Sequence, residues 1–376
     1  MRTLTLLAVL FAIPLTGRAA PADAGKPVDI VICLDTSGSM DGLIDSAKRK
    51  LWTVVNDLAK VEPTPALRVA LYTYGNNTYD ARKGWVRKET DLTTDLDSVY
   101  KQLNALKTAA PGSDEFVARV TRDALTDMRW TDDKAALRLI FVCGNEPVDQ
   151  DKEVTLDSVA ALAKNRGVLI NTIYCGPQNH AEYEGWRKFA GSCGGQSASI
   201  DQNRAGVEAA VATPFDEALV KLSTRINSTY VCYGAKGEAG AVNQKAQDEN
   251  AAKSAGGVAA DRASTKGGRL YRNAEWDLVD RMLTDKTFDF KTLKEDDLPD
   301  ELRKTKPAER LAFLQKKAAE RAAIQKEVAE LSGKRALFIE KEQKKQPKST
   351  ADQAFDQAVR GILRDQAAAK GMKVKE

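Results

Sequence analysis

The sequence predicts an α/β protein: a doubly wound, mostly parallel sheet flanked by helices, followed by a mainly helical C-terminal extension. Three observations predict it. Residues 28–34 read VDIVICL, apolar but for Asp29, as a parallel strand covered on both faces should be. Strand-like and helix-like segments then alternate to about residue 233. After Gly234 the strand pattern stops and charged, Ala-rich sequence takes over.

Each element has its own signal. Ile44, Ala47, Leu51, Val54, Val55 and Leu58 recur at helical spacing and give one apolar face. LRVALYTY (67–74) is a second core strand, and Trp85–Thr90 a weaker, edge strand. Leu96, Val99, Leu103 and Leu106 mark a helix with Thr94 as its cap; Phe116, Val120, Ala124 and Met128 mark another. LRLIFV (137–142) is the next core strand. Val159, Leu162 and Ala163 lie on a helix ending near Gly167, and VLINTIY (168–174) is the fifth strand. A short helix around Tyr183–Phe189, a strand near Ser197–Ile200, and a helix opened by Thr213-Pro214-Phe215-Asp216 complete the domain. Its extent is 27–233.

Residues 234–268 are rich in Ala, Gly, Lys and Gln without an apolar period and read as a linker. Residues 269–376 read as a charged helical region. Within it YRNAEWDLVDRML is apolar enough to dock. A helix opened by Pro307 carries Leu311, Leu314 and Ala318 on one stripe and Ile324, Val328 and Leu331 on another, with Gly333 weakening its centre. Phe355–Leu363 suggests one more short helix. Too few heptads hold for a coiled coil, so the tail is expected to pack back on the domain or on a partner.

Residues 1–24 have the form of a signal peptide. Met1-Arg2 is positive, Leu4 to Leu15 is apolar but too short to span a bilayer, and Ala22-Asp23-Ala24 offers a cleavage site. No other run is long and apolar enough to span, so the expected location is exported, periplasmic or secreted. The net charge of +4 over 376 residues, with 6% aromatics, gives no basic–aromatic signature for nucleic acid. Export permits disulfides. Of Cys33, Cys143, Cys175, Cys193 and Cys232, the pair Cys175–Cys193 ends adjacent elements and is the best candidate.

The stretch that carries chemistry is LDTSGSM (34–40), at the end of the first buried strand. In a doubly wound sheet, ligands bind beyond the carboxyl ends of the strands. Asp35, Ser37 and Ser39 alternate as D-x-S-x-S, and Gly38 permits a tight turn that points oxygens inward. One carboxylate and two hydroxyls suit a hard cation such as Mg²⁺ or Mn²⁺, with water or a partner's oxygen completing the shell.

The D-x-S-G-S motif after the first strand, FVCGNEP after the fourth core strand, and the αβ alternation resemble a von Willebrand factor type A domain over roughly residues 27–233. The resemblance implies that D-x-S-x-S is the first loop of a metal-ion-dependent adhesion site. It also implies two further loops. The second normally supplies a threonine; here Ala110-Pro111-Gly112-Ser113-Asp114-Glu115 has none, leaving Ser113 or Asp114 as alternatives. The third normally supplies an aspartate; here Val142-Cys143-Gly144-Asn145-Glu146-Pro147 puts Cys143 at that place, and a neutral thiol is a poor ligand for Mg²⁺. GNEP also resembles the third loop of bacterial exported members of the family that carry a charged helical tail.

Enzyme readings have little to stand on. A Ser–His–Asp or Cys–His arrangement would need the single histidine, His180, which sits in a polar run away from the motif. No phosphate-binding G-x-x-x-x-G-K-[ST] loop occurs. The expectation is therefore a non-enzymatic, exported binding or adhesion-type module. It holds a divalent cation and binds a carboxylate on a protein or surface polymer. The alternative is a metal-free scaffolding protein acting through its helical C-terminal region.

Overall fold

The computed structural model describes residues 25–110, 113–200, 212–344 and 351–374. The expected signal peptide, 1–24, lies outside the described residues. In chain order the elements are β1 (Pro27–Asp35), α1 (Asp41–Leu58), β2 (Val61–Glu62), β3 (Ala66–Tyr74), β4 (Arg87–Thr93), α2 (Leu96–Ala105), α3 (Val117–Asp127), β5 (Leu137–Gly144), α4 (Leu156–Arg166), β6 (Leu169–Tyr174), α5 (Ala181–Ser192) and β7 (Ser197–Ser199). There follow α6 (Asp216–Asn227), α7 (Gly237–Ser254), α8 (Gly256–Gly267), α9 (Leu278–Thr284), α10 (Asp300–Arg303), α11 (Pro307–Gln343), α12 (Ala351–Ala369) and β8 (Lys373–Val374).

Six strands form one sheet in the order β4-β3-β1-β5-β6-β7. Only β4 runs antiparallel. The chain leaves β1 toward β3 on one side and returns to β5 on the other, so strand order reverses at the carboxyl end of β1. Strand side chains alternate between two cores. Ile30, Leu34, Leu71 and Phe141 face α1, α2 and α12, whereas Val31, Cys33, Tyr72 and Val142 face α3, α4 and α5. This two-sided burial is why VDIVICL is apolar at every position but Asp29. That aspartate is satisfied by a two-pronged Arg68 (2.8 and 2.7 Å) and the Thr131 amide.

Several local expectations shift. The cap of α2 is Asp95, whose carboxylate accepts from the Ser98 amide, in place of Thr94. The segment read as a linker, 234–268, instead folds as α7 and α8, and α8 packs against α1, α6, α7 and α11. Its helices hide from a hydrophobic-periodicity reading because they are fixed by buried charge. Fully buried Arg262 donates to Asp97 on α2 and to Asp248 on α7 (both 2.6 Å) and lies over the Trp52 ring. Buried Lys266 reaches Asp248 at 2.8 Å and Ser223 at 2.9 Å.

The long helix α11 lies on α6, α8 and α9 of the same chain, with Leu314, Ile324 and Val328 buried and Leu311 exposed. Arg321 ties it to Asp277 and Asp280. Helix α12 extends to both sides of the short helix expected there. It places Val359, Ile362, Leu363 and Ala367 in the core on the α1 side. Gln366 and Asn171 on β6 exchange reciprocal amide hydrogen bonds (2.7 and 3.0 Å), and β8 pairs with β2.

Candidate metal centre

The site forms where β1, β3 and β5 end together. Asp35, fully buried, is the last residue of β1, and its Oδ1 accepts the Ser37 amide at 2.7 Å. That bond turns the chain back on itself, and Thr36 anchors the turn by donating from its amide (2.9 Å) and hydroxyl (3.0 Å) to the Tyr74 carbonyl. Ser37 Oγ and Ser39 Oγ then lie 3.2 Å apart. Gly38 is required by a close approach: a Cβ there would stand 2.9 Å from Ala110 Cβ. The second loop is drawn against the first by a bridge between Ser37 and Ala109, and buried Asn76 donates to the carbonyls of Thr36 and Lys107.

The second loop differs from the sequence expectation. Asp114 is exposed, and the carboxylate that enters the site is Glu115, 6% exposed. Two features select it. Gln150 Oε1 accepts the Glu115 amide at 2.9 Å and fixes its backbone. Gly75, at φ +73°, leaves open the space between Asp35 and Glu115. A Cβ there would meet Asp35 Oδ1 at 2.7 Å and Glu115 Cγ at 2.9 Å. Ser113 stays with the site; its amide donates to the Gly75 carbonyl and its hydroxyl is buried.

The third loop contributes Asn145. Its Oδ1 accepts the Ser39 hydroxyl at 3.3 Å, a role the sequence did not reveal. Cys143 points into the apolar core with Phe141 and Ile173, and burial pushes its thiol up, so it stays protonated. The loop is held by Tyr74, whose hydroxyl donates to the Cys143 carbonyl (2.8 Å), and by Trp186, which donates to the Glu146 carbonyl (2.9 Å).

The proposed disulfide is absent: Cys175 and Cys193 are both free. Cys175 packs in the core on the α1 side and Cys193 in the core on the α3 side, so the sheet separates them. His180, exposed at the start of α5, has Nδ1 3.1 Å from the Tyr174 hydroxyl, and its structural neighbours are Tyr174 and the α5 turn.

Electrostatically the site is under-compensated. Burial raises both carboxyl groups, Glu115 to about 10 with Asp35 beside it as the second cause; Glu146 adds further negative potential. Asp35 Oδ2, Ser113 Oγ and Glu115 Oε2 are buried and have no hydrogen-bond partner. Three orphaned oxygens around Gly75 are what a hard cation would satisfy. Among the described residues no group of three or more His, Cys, Asp and Glu is placed to hold a metal. Any ion here would therefore rest on two carboxylates and on the hydroxyls of Ser37, Ser39 and Ser113, an all-oxygen set that suits Mg²⁺ or Mn²⁺.

The mostly parallel sheet and its helical layers define an α/β domain of the von Willebrand factor type A kind. Residues 29–209 match the sequence profile of the von Willebrand factor type A domain, and the chain carries a domain of that family. Among solved structures it is similar to a von Willebrand factor type A protein from Catenulispora acidiphila (17% identity, TM-score 0.36, covering 48% of this chain and 40% of that one). It is also similar to proximal thread matrix protein 1 from the mussel byssus with a zinc-occupied MIDAS motif (12%, 0.37, 48% and 43%). A third is the pilus adhesin SpaC from Lactobacillus rhamnosus GG (13%, 0.35, 47% and 28%). The match thus spans less than half the length of each of these three. A search of curated proteins finds no match.

Proposed function

We propose that this chain is a non-enzymatic binding module that holds Mg²⁺ or Mn²⁺ at the carboxyl end of β1 and captures a carboxylate of a protein or surface-polymer partner. The observation that carries the reading is the set of buried, unpartnered oxygens on Asp35, Ser113 and Glu115. Ser37 and Ser39, already 3.2 Å apart, would hold the ion with Asp35 and Glu115, and Asn145 would orient Ser39. The Cys143 position supplies no acid, so Glu115 supplies the second charge from the opposite loop. Two carboxylates balance a divalent ion without saturating it, which leaves room for an acid from a partner. The leader-like composition of residues 1–24 supports export.

Calorimetry with Mn²⁺ and Mg²⁺ tests the reading on the full chain. Wild type should bind, and Asp35→Asn and Glu115→Gln should lose binding while keeping the native circular dichroism spectrum. Equal heats in wild type and both variants would end the proposal.

A further inference from the structure

Beside the third loop lies an open cleft of about 390 Å³. This is the size range of sites that take a small ligand or a single large side chain. Its floor is apolar, built from Val148, Leu156 and Phe189. Its rim carries Asp149, Asp157 and Glu182, none of whose carboxylates has an ion-pair partner among the described residues; Lys152 donates to the Asp149 carbonyl at 3.0 Å, and Lys188 on the rim stands 3.7 Å from Glu184. Asp157 and Glu182 sit in the first turns of α4 and α5, where the helix dipole alone favours acids. Asp149 lies in the loop after β5 and has no such reason to be acidic.

An apolar floor with an anionic rim is complementary to a side chain that is aliphatic along its length and cationic at its end. We propose that this cleft receives a lysine or arginine side chain from a protein partner. The proposal deepens the reading of the metal centre and rests on it for the partner's accompanying acid. The two sites share one segment: Asn145 touches Ser39, and two residues on Pro147 and Val148 line the cleft. Trp186, from the same helix as the floor residue Phe189, pins that segment through the Glu146 carbonyl. A partner carrying an acid for the ion and a basic residue close by in sequence would engage both.

The test needs no metal, so its outcome is separable from that of the calorimetry. The full chain, methyl-labelled at Leu and Val, is titrated in EDTA with the peptide Ac-Ala-Leu-Lys-Ala-NH2 and with analogues carrying norleucine or glutamate in place of lysine. The lysine peptide should shift the Val148 and Leu156 methyl signals. The norleucine analogue should bind about twofold to fivefold more weakly, the upper factor being worth about 1 kcal/mol for an exposed ion pair. The glutamate analogue should produce no shift. Asp157→Lys/Glu182→Lys, in the first turns of α4 and α5, should abolish the lysine response, and Lys188→Ala should strengthen it. The proposal is overturned by norleucine binding as tightly as lysine, by an unchanged response in the double variant, or by no response to lysine at all. Methyl shifts that follow protein concentration without peptide would place a second copy in the cleft and overturn it equally.

Discussion

Replacing Glu115 by glutamine separates a cation site from a merely capped turn, because the two differ in how stability responds to pH. Glu115 is buried beside buried Asp35, and its carboxyl is raised from 4.5 to about 10. A group whose folded pKa exceeds its unfolded value binds a proton more tightly when folded. Its stabilisation is therefore complete below pH 4.5 and is lost as pH rises toward 10, at about 1.4 kcal/mol per pH unit. Between pH 4.5 and 7.5 the metal-free protein should lose roughly 4 kcal/mol from this group, a large part of a typical folding free energy. Glu115→Gln keeps the shape and removes this group's titration, leaving only that of buried Asp35, so in EDTA its stability should fall less steeply than wild type over that window and exceed it at pH 7.5. With Mg²⁺ at a hundred times its Kd, wild type should regain about 2.7 kcal/mol and the variant nothing. Urea unfolding at pH 5, 6, 7 and 8, with EDTA or Mg²⁺, measures all four quantities. Parallel wild-type and variant curves in EDTA would refute the placement of Glu115 against Asp35. An equal Mg²⁺ response in both would refute its role as a ligand.

Other perturbations test the frame around the site. Arg262→Ala takes the cation away from buried Asp97, leaving Asp248 to Lys266, and should cost about 3–5 kcal/mol in urea unfolding, against less than 1 kcal/mol for exposed Arg225→Ala. Gly38→Ala should cost about 1–3 kcal/mol and weaken Mn²⁺ binding in calorimetry, because its new Cβ would meet Ala110 at 2.9 Å and push the first two loops apart. Thiol titration in denaturant should find five reactive cysteines without a reductant; three would restore a disulfide. Truncation after residue 344 removes Val359, Ile362 and Leu363 from the core, at about 1.5–3 kcal/mol each, and should leave a chain that binds hydrophobic dye and is rapidly cut by protease.

The first loop was legible because its chemistry is contiguous and its place is set by a single strand. A run that is apolar but for Asp29 ends at Asp35, and the switch in strand order falls there. The second loop was not legible to one residue. Asp114 and Glu115 are adjacent acids, and the choice between them is made by Gln150, 35 residues away, and by the missing side chain at Gly75. Asn145 escaped because its contact with Ser39 joins loops 106 residues apart. Cys143, expected to be a poor ligand, supplies none: the strand's alternation turns its thiol into the core.

The same logic explains the misread linker, and it redraws the physical unit. Helices α7 and α8 lack an apolar stripe because ionic and amide contacts replace it. Arg262 alone joins α8 to α2 and α7 and stacks on α1, the helix that begins at the D-x-S-x-S turn. Asn56 and Thr53, also on α1, bond to Asp261 on α8. On the other flank of α1, α12 closes the core with side chains that lie some 300 residues beyond it, across an apolar void of about 60 Å³. The profile-matched span, 29–209, therefore ends before α12, which completes the cover of one face of its own sheet. A region that completes the core and braces the helix leading out of the site cannot also hang free as an independent tether. This weighs against the scaffolding alternative in its simplest form: deleting residues 235–376 would remove support from the metal centre as well as the tail. Partner capture lost on such a deletion would thus say nothing about where the partner binds, whereas point changes at Glu115 or on the cleft rim leave the frame intact and do.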